Sequence, residues 1–287
     1  MHASPTALDP SHWPPLLREI PDPPQQLFYR GTAPRWNELK FLAIVGSRKY
    51  SNYGKEACQT LVAGLAGHPV CIVSGLALGI DSIAHRAALA HGLPTIAVPG
   101  SGLNNAVLYP SSHRALADEI VRAGGMLLSE FEPTFRATTW SFPRRNRIMA
   151  GISHAILVIE AEQRSGTLIT SKLATEYNRD VLAVPGSIFS KSSEGPHMLL
   201  RLGATPIGSA TDILEALHIE HDARRERDYS DCSPEEMTLL KLVVNPLPRE
   251  DIAEFIKKPV HELNALLSLL EIKGHIKENG GVIRRTD

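Results

Sequence analysis

The stretch Phe41-Leu42-Ala43-Ile44-Val45-Gly46-Ser47-Arg48 is an unbroken apolar run that ends on a glycine, a serine and an arginine. A strand with one wet face alternates apolar and polar side chains. A strand that is apolar throughout belongs to a sheet covered on both faces, the situation of parallel strands flanked by helices. Gly46 and Ser47 then open a turn at the carboxyl end of the strand. Open parallel sheets bind their ligands at those ends, so this stretch predicts a central strand and one wall of a site.

Outward from it, a strand–helix rhythm repeats. Helical spacing covers Gly54–Ala66, Ile80–His91, Ser111–Ala123, Arg144–Gly151 and Leu168–Asn178. Between these lie strand-type runs at Val70–Ser74, Thr95–Val98, Met126–Ser129, Ala155–Glu160 and Val181–Val184. Pro196–Leu202 and Ala210–Leu217 read as closing helices. Alternation of this kind predicts an α/β fold with a doubly wound parallel sheet spanning residues 39–217. Upstream, residues 1–38 are punctuated by Pro14, Pro15, Pro21, Pro23, Pro24 and Pro34, which leave few regular elements and predict a lead-in packed on the core.

Downstream, residues 218–232 are dense in both signs of charge and read as a linker. A second module follows over residues 233–287. Ser233 is an N-cap, Pro234 the first helical residue and Glu236 the partner that completes a capping box. A second helix starts at Pro248 or Arg249 and runs to about Lys257. Pro259 opens a third, with Leu263, Leu266, Leu267 and Leu270 inward and Gly274 as its stop. Asn279-Gly280-Gly281 turns a hairpin between His275–Glu278 and Val282–Arg285. Three helices and a hairpin describe a winged helix.

Composition excludes several classes. With 287 residues the chain has room for about two domains, and 43 % hydrophobic content supplies their cores. No run approaches a membrane helix, and Met1 to Pro15 lacks the apolar core and basic head of a secretory signal. Cys58, Cys71 and Cys232 share no metal-type spacing and read as free thiols of a reducing cytoplasm. No pattern calls for a metal or a cofactor. Thirty basic residues face 31 acidic ones, so any nucleic-acid site must be local.

Local sites exist. From Leu39 to Lys55 there are four basic residues, no acid, and two tyrosines, Tyr50 and Tyr53. Within that segment Gly46, Ser47, Arg48 and Lys49 can offer backbone N–H groups, a hydroxyl and cations to a phosphate. From Pro133 to Ile159 the only charged residues are Arg136, Arg144, Arg145 and Arg147, joined by Trp140, Phe142 and Asn146. Guanidinium groups hold phosphates and rings stack on bases, the pairing that single-strand binding uses; bracing of the fold by Asn146 and Arg147 is the competing reading. Arg164, Ser165, Gly166 and Thr167 form a small-residue loop before a helix, a ready anion site. Asp81 and His85, four apart, can share a helix face; Asp81 then caps the helix and orients His85. Gly100-Ser101-Gly102-Leu103-Asn104-Asn105 is a near miss for a dinucleotide fingerprint, with Asn105 where the third glycine belongs. No Walker lysine, nucleophile elbow or triad pattern occurs.

Together these motifs carry a resemblance. Val45-Gly46-Ser47-Arg48, Ser74-Gly75-Leu76-Ala77 with Gly79-Ile80-Asp81 and Ala84-His85, Phe142-Pro143 with Arg145-Asn146-Arg147-Ile148, Ser165-Gly166-Thr167-Leu168-Ile169-Thr170 and Val184-Pro185-Gly186 resemble, in order, the DNA-processing protein DprA (Smf) family. The likeness covers residues 13–210, and the terminal module resembles that family's accessory winged helix. It implies an extended Rossmann-like, mostly parallel core that binds single-stranded DNA without catalysis. It also implies a cytoplasmic homodimer that helps load RecA recombinase onto incoming strands in natural transformation, in competition with single-strand binding protein. Arg48, Phe142, Arg145 and Arg147 are then the residues that face DNA. One position departs: Thr139 stands where some relatives carry a lysine, and Arg136 or Arg144 are the candidates to replace it. Two other classes compete, a nucleotide-cleaving phosphoribohydrolase using Gly166-Thr167 and Glu176, and a transcription regulator acting through the terminal module. The last is disfavoured by eight basic against ten acidic residues from Ser230 to Asp287.

Overall fold

Each apolar run of the core pairs into one sheet because helices cover both of its faces. In the computed structural model, which describes residues 4–163, 165–220, 231–256 and 258–285, the chain forms two compact units, Met1–His221 and Asp222–Asp287. The first begins with β1 (Thr6–Ala7) and β2 (Phe28–Gly31). It continues through β3 (Lys40–Val45), α1 (Asn52–Ala63), β4 (Val70–Ser74), α2 (Ile80–Ala90), β5 (Thr95–Ala97), α3 (Arg114–Arg122) and β6 (Met126–Ser129). Then come α4 (Ser141–Ile152), β7 (Ala155–Val158), α5 (Thr167–Glu176), β8 (Asp180–Ala183), α6 (Glu194–Arg201), β9 (Thr205–Pro206) and α7 (Ala210–Ala216).

The nine strands lie in the order β1-β2-β6-β5-β4-β3-β7-β8-β9. All pairings from β6 to β9 are parallel. From β3 the chain steps outward to β4, β5 and β6, then returns to the far side of β3 for β7. The switch point therefore lies between β3 and β7, where the loops that follow the two strands diverge.

Side-chain alternation in β3 shows why its sequence is apolar throughout. Phe41, Ala43 and Val45 belong to a core shared with α4, α5, α6 and the lead-in, while Leu42 and Ile44 belong to one shared with α1, α2 and α7. Leu17, Ile20 and Leu27 of the lead-in are buried in the first of these cores. The lead-in is also more regular than its prolines suggest. Tyr29 and Arg30 pair antiparallel with Leu128 and Leu127, which extends the sheet by two strands beyond the parallel set.

In the second unit, α8 (Pro234–Leu242), β10 (Leu247–Pro248), α9 (Arg249–Ile256), α10 (Val260–Ile272), β11 (Ile276–Asn279) and β12 (Val282–Arg285) enclose an apolar core that includes Leu239, Ile252, Leu263, Leu267 and Ile283. Its antiparallel sheet has the order β10-β12-β11, so Leu247–Pro248 adds a third strand to the hairpin. The Ser233–Glu236 capping box forms as the sequence demands. Of the linker, residues 221–230 lie outside the described residues, as does Lys257; Ile219 still packs on the first unit. Among the described residues, no helix is long and apolar enough to cross a membrane.

Candidate nucleic-acid interface

Three segments far apart in sequence meet at the switch point. The loop after β3, the N-terminus of α4 and the start of α5 line one open cleft of about 520 Å³. Gly46, Ser47, Arg48 and Lys49 form one wall, Phe142, Arg145 and Asn146 the floor, and Ser165, Gly166 and Thr167 the other wall. Arg164 lies outside the described residues. Two cross-links hold the walls in place. The Thr167 hydroxyl donates to the Gly46 carbonyl at 3.3 Å, and the Ile80 N–H donates to the Ser47 carbonyl at 3.2 Å.

Two glycines let the backbones approach so closely. A Cβ on Gly79, whose φ is +83°, would lie 2.3 Å from the Ser47 carbonyl oxygen. A Cβ on Gly75 would lie 2.0 Å from the Arg145 guanidinium. The glycines of the Ser74–Asp81 stretch thus have a local cause: they thread a loop between two others.

Arg48 and Lys49 are exposed and make no ion pair among the described residues. The Arg48 guanidinium carbon lies 5.5 Å from the centroid of the Phe142 ring. Tyr109 meets the same ring, centroids 5.5 Å apart and planes tilted by 55°. Sequence pattern missed Tyr109, a loop residue before a proline with no periodicity around it. It also missed Glu162, an acid that lines the cleft opposite the cations.

Arg145 and Arg147 turn out to be braces. Arg145 is buried, donating to the Gly75 carbonyl at 2.5 Å, to the Val98 carbonyl and to Asn146 Oδ1 at 3.1 Å. It thereby ties α4 to the ends of β4 and β5. Burial pulls its guanidinium down to about 10, against the pull of Asp81. Arg147 is not in the cleft. It pairs with Glu130 at 2.5 Å and Asp22 at 3.0 Å, and donates to the Asp22 carbonyl, clamping the lead-in to the core. Arg144 reaches Glu130 at 3.0 Å, and neither it nor Arg136 lines the cleft.

Asp81 does not orient His85. Its carboxylate accepts from the Gly75 and Ala77 N–H groups, at 3.1 and 3.3 Å, and so shapes the loop before its own helix. Burial pushes that carboxyl above the ordinary range, opposed by Arg145. His85 Nδ1 instead meets Thr95 Oγ1 at 2.8 Å, and burial holds its imidazole neutral, down to about 3. The near-dinucleotide loop is closed as well. The Gly102 N–H donates to the Phe135 carbonyl, and a Cβ on Gly100 would strike Phe142 at 2.7 Å.

The arrangement defines a class: an extended Rossmann-like protein whose switch-point cleft presents free cations and a partly buried ring. The chain belongs to the DNA recombination-mediator protein A family, whose family model matches residues 5–218. It is 39 % identical over 286 residues to Protein Smf of Escherichia coli, covering 96 % of this chain and 76 % of that one. It is 45 % identical over 200 residues to the DNA processing protein DprA of Streptococcus pneumoniae, covering 69 % and 68 %. The solved structure of that pneumococcal protein superposes with a TM-score of 0.68, covering 76 % of this chain and 75 % of it at 40 % identity. DNA processing protein A of Helicobacter pylori, solved for its single-stranded DNA binding mode, superposes with a TM-score of 0.67 at 30 % identity. That match covers 76 % of this chain and 97 % of the other.

Proposed function

We propose that this protein binds single-stranded DNA in the switch-point cleft, without catalysis, and helps load RecA recombinase onto incoming strands during natural transformation and recombination. The convergence of three remote segments on one open, cation-walled cleft beside a partly buried phenylalanine carries the reading. Arg48 and Lys49 take phosphates, the Ser165–Thr167 turn offers small polar groups to the same strand, and Phe142 stacks a base. The Helicobacter pylori relative's single-stranded DNA binding mode supports the choice of ligand.

A nucleotide-cleaving reading fits less well. Glu176, the carboxylate it needs, closes α5, pairs with Lys172 at 3.8 Å and is absent from the cleft lining. The protein acts in the cytoplasm as a homodimer, in competition with single-strand binding protein. Residues 39–217 are the DNA-binding core, and residues 233–287 form a winged helix that serves protein contacts.

Fluorescence anisotropy with labelled oligo-dT tests the ligand: Arg48→Ala and Phe142→Ala should each weaken binding, and unchanged affinity in both sinks the site. RecA filament assembly on DNA precoated with single-strand binding protein tests the task. Acceleration by the intact protein is expected, and no acceleration removes the loading role.

A further inference from the structure

The acid-free segment from Pro133 to Ile159 carries four arginines, and the structure distributes them unequally. Arg145 and Arg147 are buried in internal bonds. Arg136 and Arg144 reach solvent, yet neither lines the cleft. Between them in sequence stands Trp140, the residue that precedes α4, with half of its surface exposed (51 %). A single exposed ring is ordinary on a protein surface; Trp140 is set apart by the Arg144 guanidinium beside it.

This ring is packed between two aromatics and a guanidinium. Phe131 and Phe135 meet it edge-on, at centroid distances of 5.7 and 5.6 Å. The Arg144 guanidinium carbon lies 5.9 Å from its centroid and is itself anchored to Glu130. Arg136 is exposed and has no partner among the described residues. Nearby carboxylates are already engaged: Glu130 by Arg144 and Arg147, and Glu132 by the Gln26 amide at 3.1 Å. Phe142, two residues on, has different company in Tyr109 and Arg48. Two aromatic rings with separate surroundings thus flank the N-terminus of α4, the positive end of that helix dipole.

We infer that Trp140, with Arg136 and Arg144, is a second nucleotide station. A strand whose base stacks on Phe142 continues past the start of α4 and lays a further base against Trp140, its phosphates met by the unpaired Arg136 and by the solvent-facing side of the Glu130-anchored Arg144. The inference rests on the single-stranded DNA reading of the cleft. It also gives Arg136 and Arg144 a role that the cleft itself does not.

The test compares oligo-dT of about five nucleotides, enough for the cleft, with oligo-dT of about twenty. Trp140→Ala should weaken the long oligonucleotide about tenfold and leave the short one unchanged, while Trp140→Phe keeps both affinities. Long oligo-dT should also quench tryptophan emission in the unsubstituted protein, and Trp140→Phe should abolish that quench. Equal weakening of both lengths by Trp140→Ala, or a quench that persists in Trp140→Phe, overturns the second station. Phe142→Ala separates the two ideas. If it weakens both lengths while Trp140→Ala weakens neither, the cleft stands and the station falls; if neither substitution matters, both fall.

Discussion

The loop after β3 and the segment that opens α4 look alike in sequence and are used in opposite ways. Each is acid-free, basic and aromatic. In the loop the cations are surplus: Arg48 and Lys49 point to solvent and meet no carboxylate among the described residues. In the helix two of the arginines are structural, since Arg145 satisfies strand-end carbonyls and Arg147 a buried carboxylate. The difference comes from where each segment sits. A loop at a strand end is bounded by water, whereas α4 runs between the sheet and the lead-in, with every residue from Arg145 to Ile152 buried. A charge counts toward a binding site only after the fold has taken its share.

The sharpest way to break that comparison is to exchange alanine for each kind of arginine. Arg147→Ala leaves Glu130 buried beside only Arg144, and should cost about 3–5 kcal/mol in urea unfolding. Arg48→Ala should shift stability by less than about 0.5 kcal/mol. It should also lower the salt slope of oligo-dT binding by about 0.7, one phosphate contact. Equal destabilisation by both would erase the distinction between brace and ligand contact. Phe142→Ala comes next, with a loss of about 1–3 kcal/mol of single-strand affinity by anisotropy titration if a base stacks there.

Legibility in the sequence follows the same physics. The strands of the parallel set from β6 to β8 were readable because burial on two faces forces unbroken apolar runs, as in Val70–Ser74 and Met126–Ser129, whereas the short, exposed β9, Thr205–Pro206, carries no such run. β2 was not, because Phe28-Tyr29-Arg30-Gly31 owes its pairing to Met126–Ser129 across the chain and carries a buried arginine answered by Asp118. The cleft's three segments were visible as small-residue loops at strand ends. The direction of each arginine was not: residues two apart on a helix point roughly 200° apart, and which direction is wet depends on what packs there. Arg147 faces Asp22, a partner 125 positions away that no local pattern announces.

A smaller effect tests the buried polar layer beneath the cleft. His85 is held neutral by burial, with His113 and Arg145 adding to the downward shift, so its folded value of about 3 lies below the ordinary value of 6.5. The unfolded chain therefore takes up a proton that the folded one refuses. Stability from this group is full above about pH 6.5 and is lost as pH falls toward 3. The Asp81 carboxyl, shifted up, moves the other way, so the difference between parent and variant is what isolates the histidine. In thermal melts between about pH 7 and 5, His85→Gln should flatten the decline seen in the parent. Parallel curves would mean that the imidazole titrates normally and that its environment is wetter than its packing implies.

The smallest expected effect concerns the second unit, and it extends the comparison from segments to domains. Here the sign of the charge is reversed: ten acidic residues outnumber eight basic ones from Ser230 to Asp287. Several of the cations are also engaged, Lys258 by Glu235 at 2.7 Å, Lys273 by Glu236 at 2.9 Å and Arg249 by Glu278 at 2.8 Å. The helix α10 that would enter a groove is leucine-rich, and its exposed Val260, Leu269 and Ile272 offer nothing to a phosphate. Removing residues 230–287 should therefore lower oligo-dT affinity less than about tenfold, with the salt slope unchanged. A larger loss would show that a unit poor in free cations still gathers the strand, and that counting unpaired charges misjudges where DNA binds.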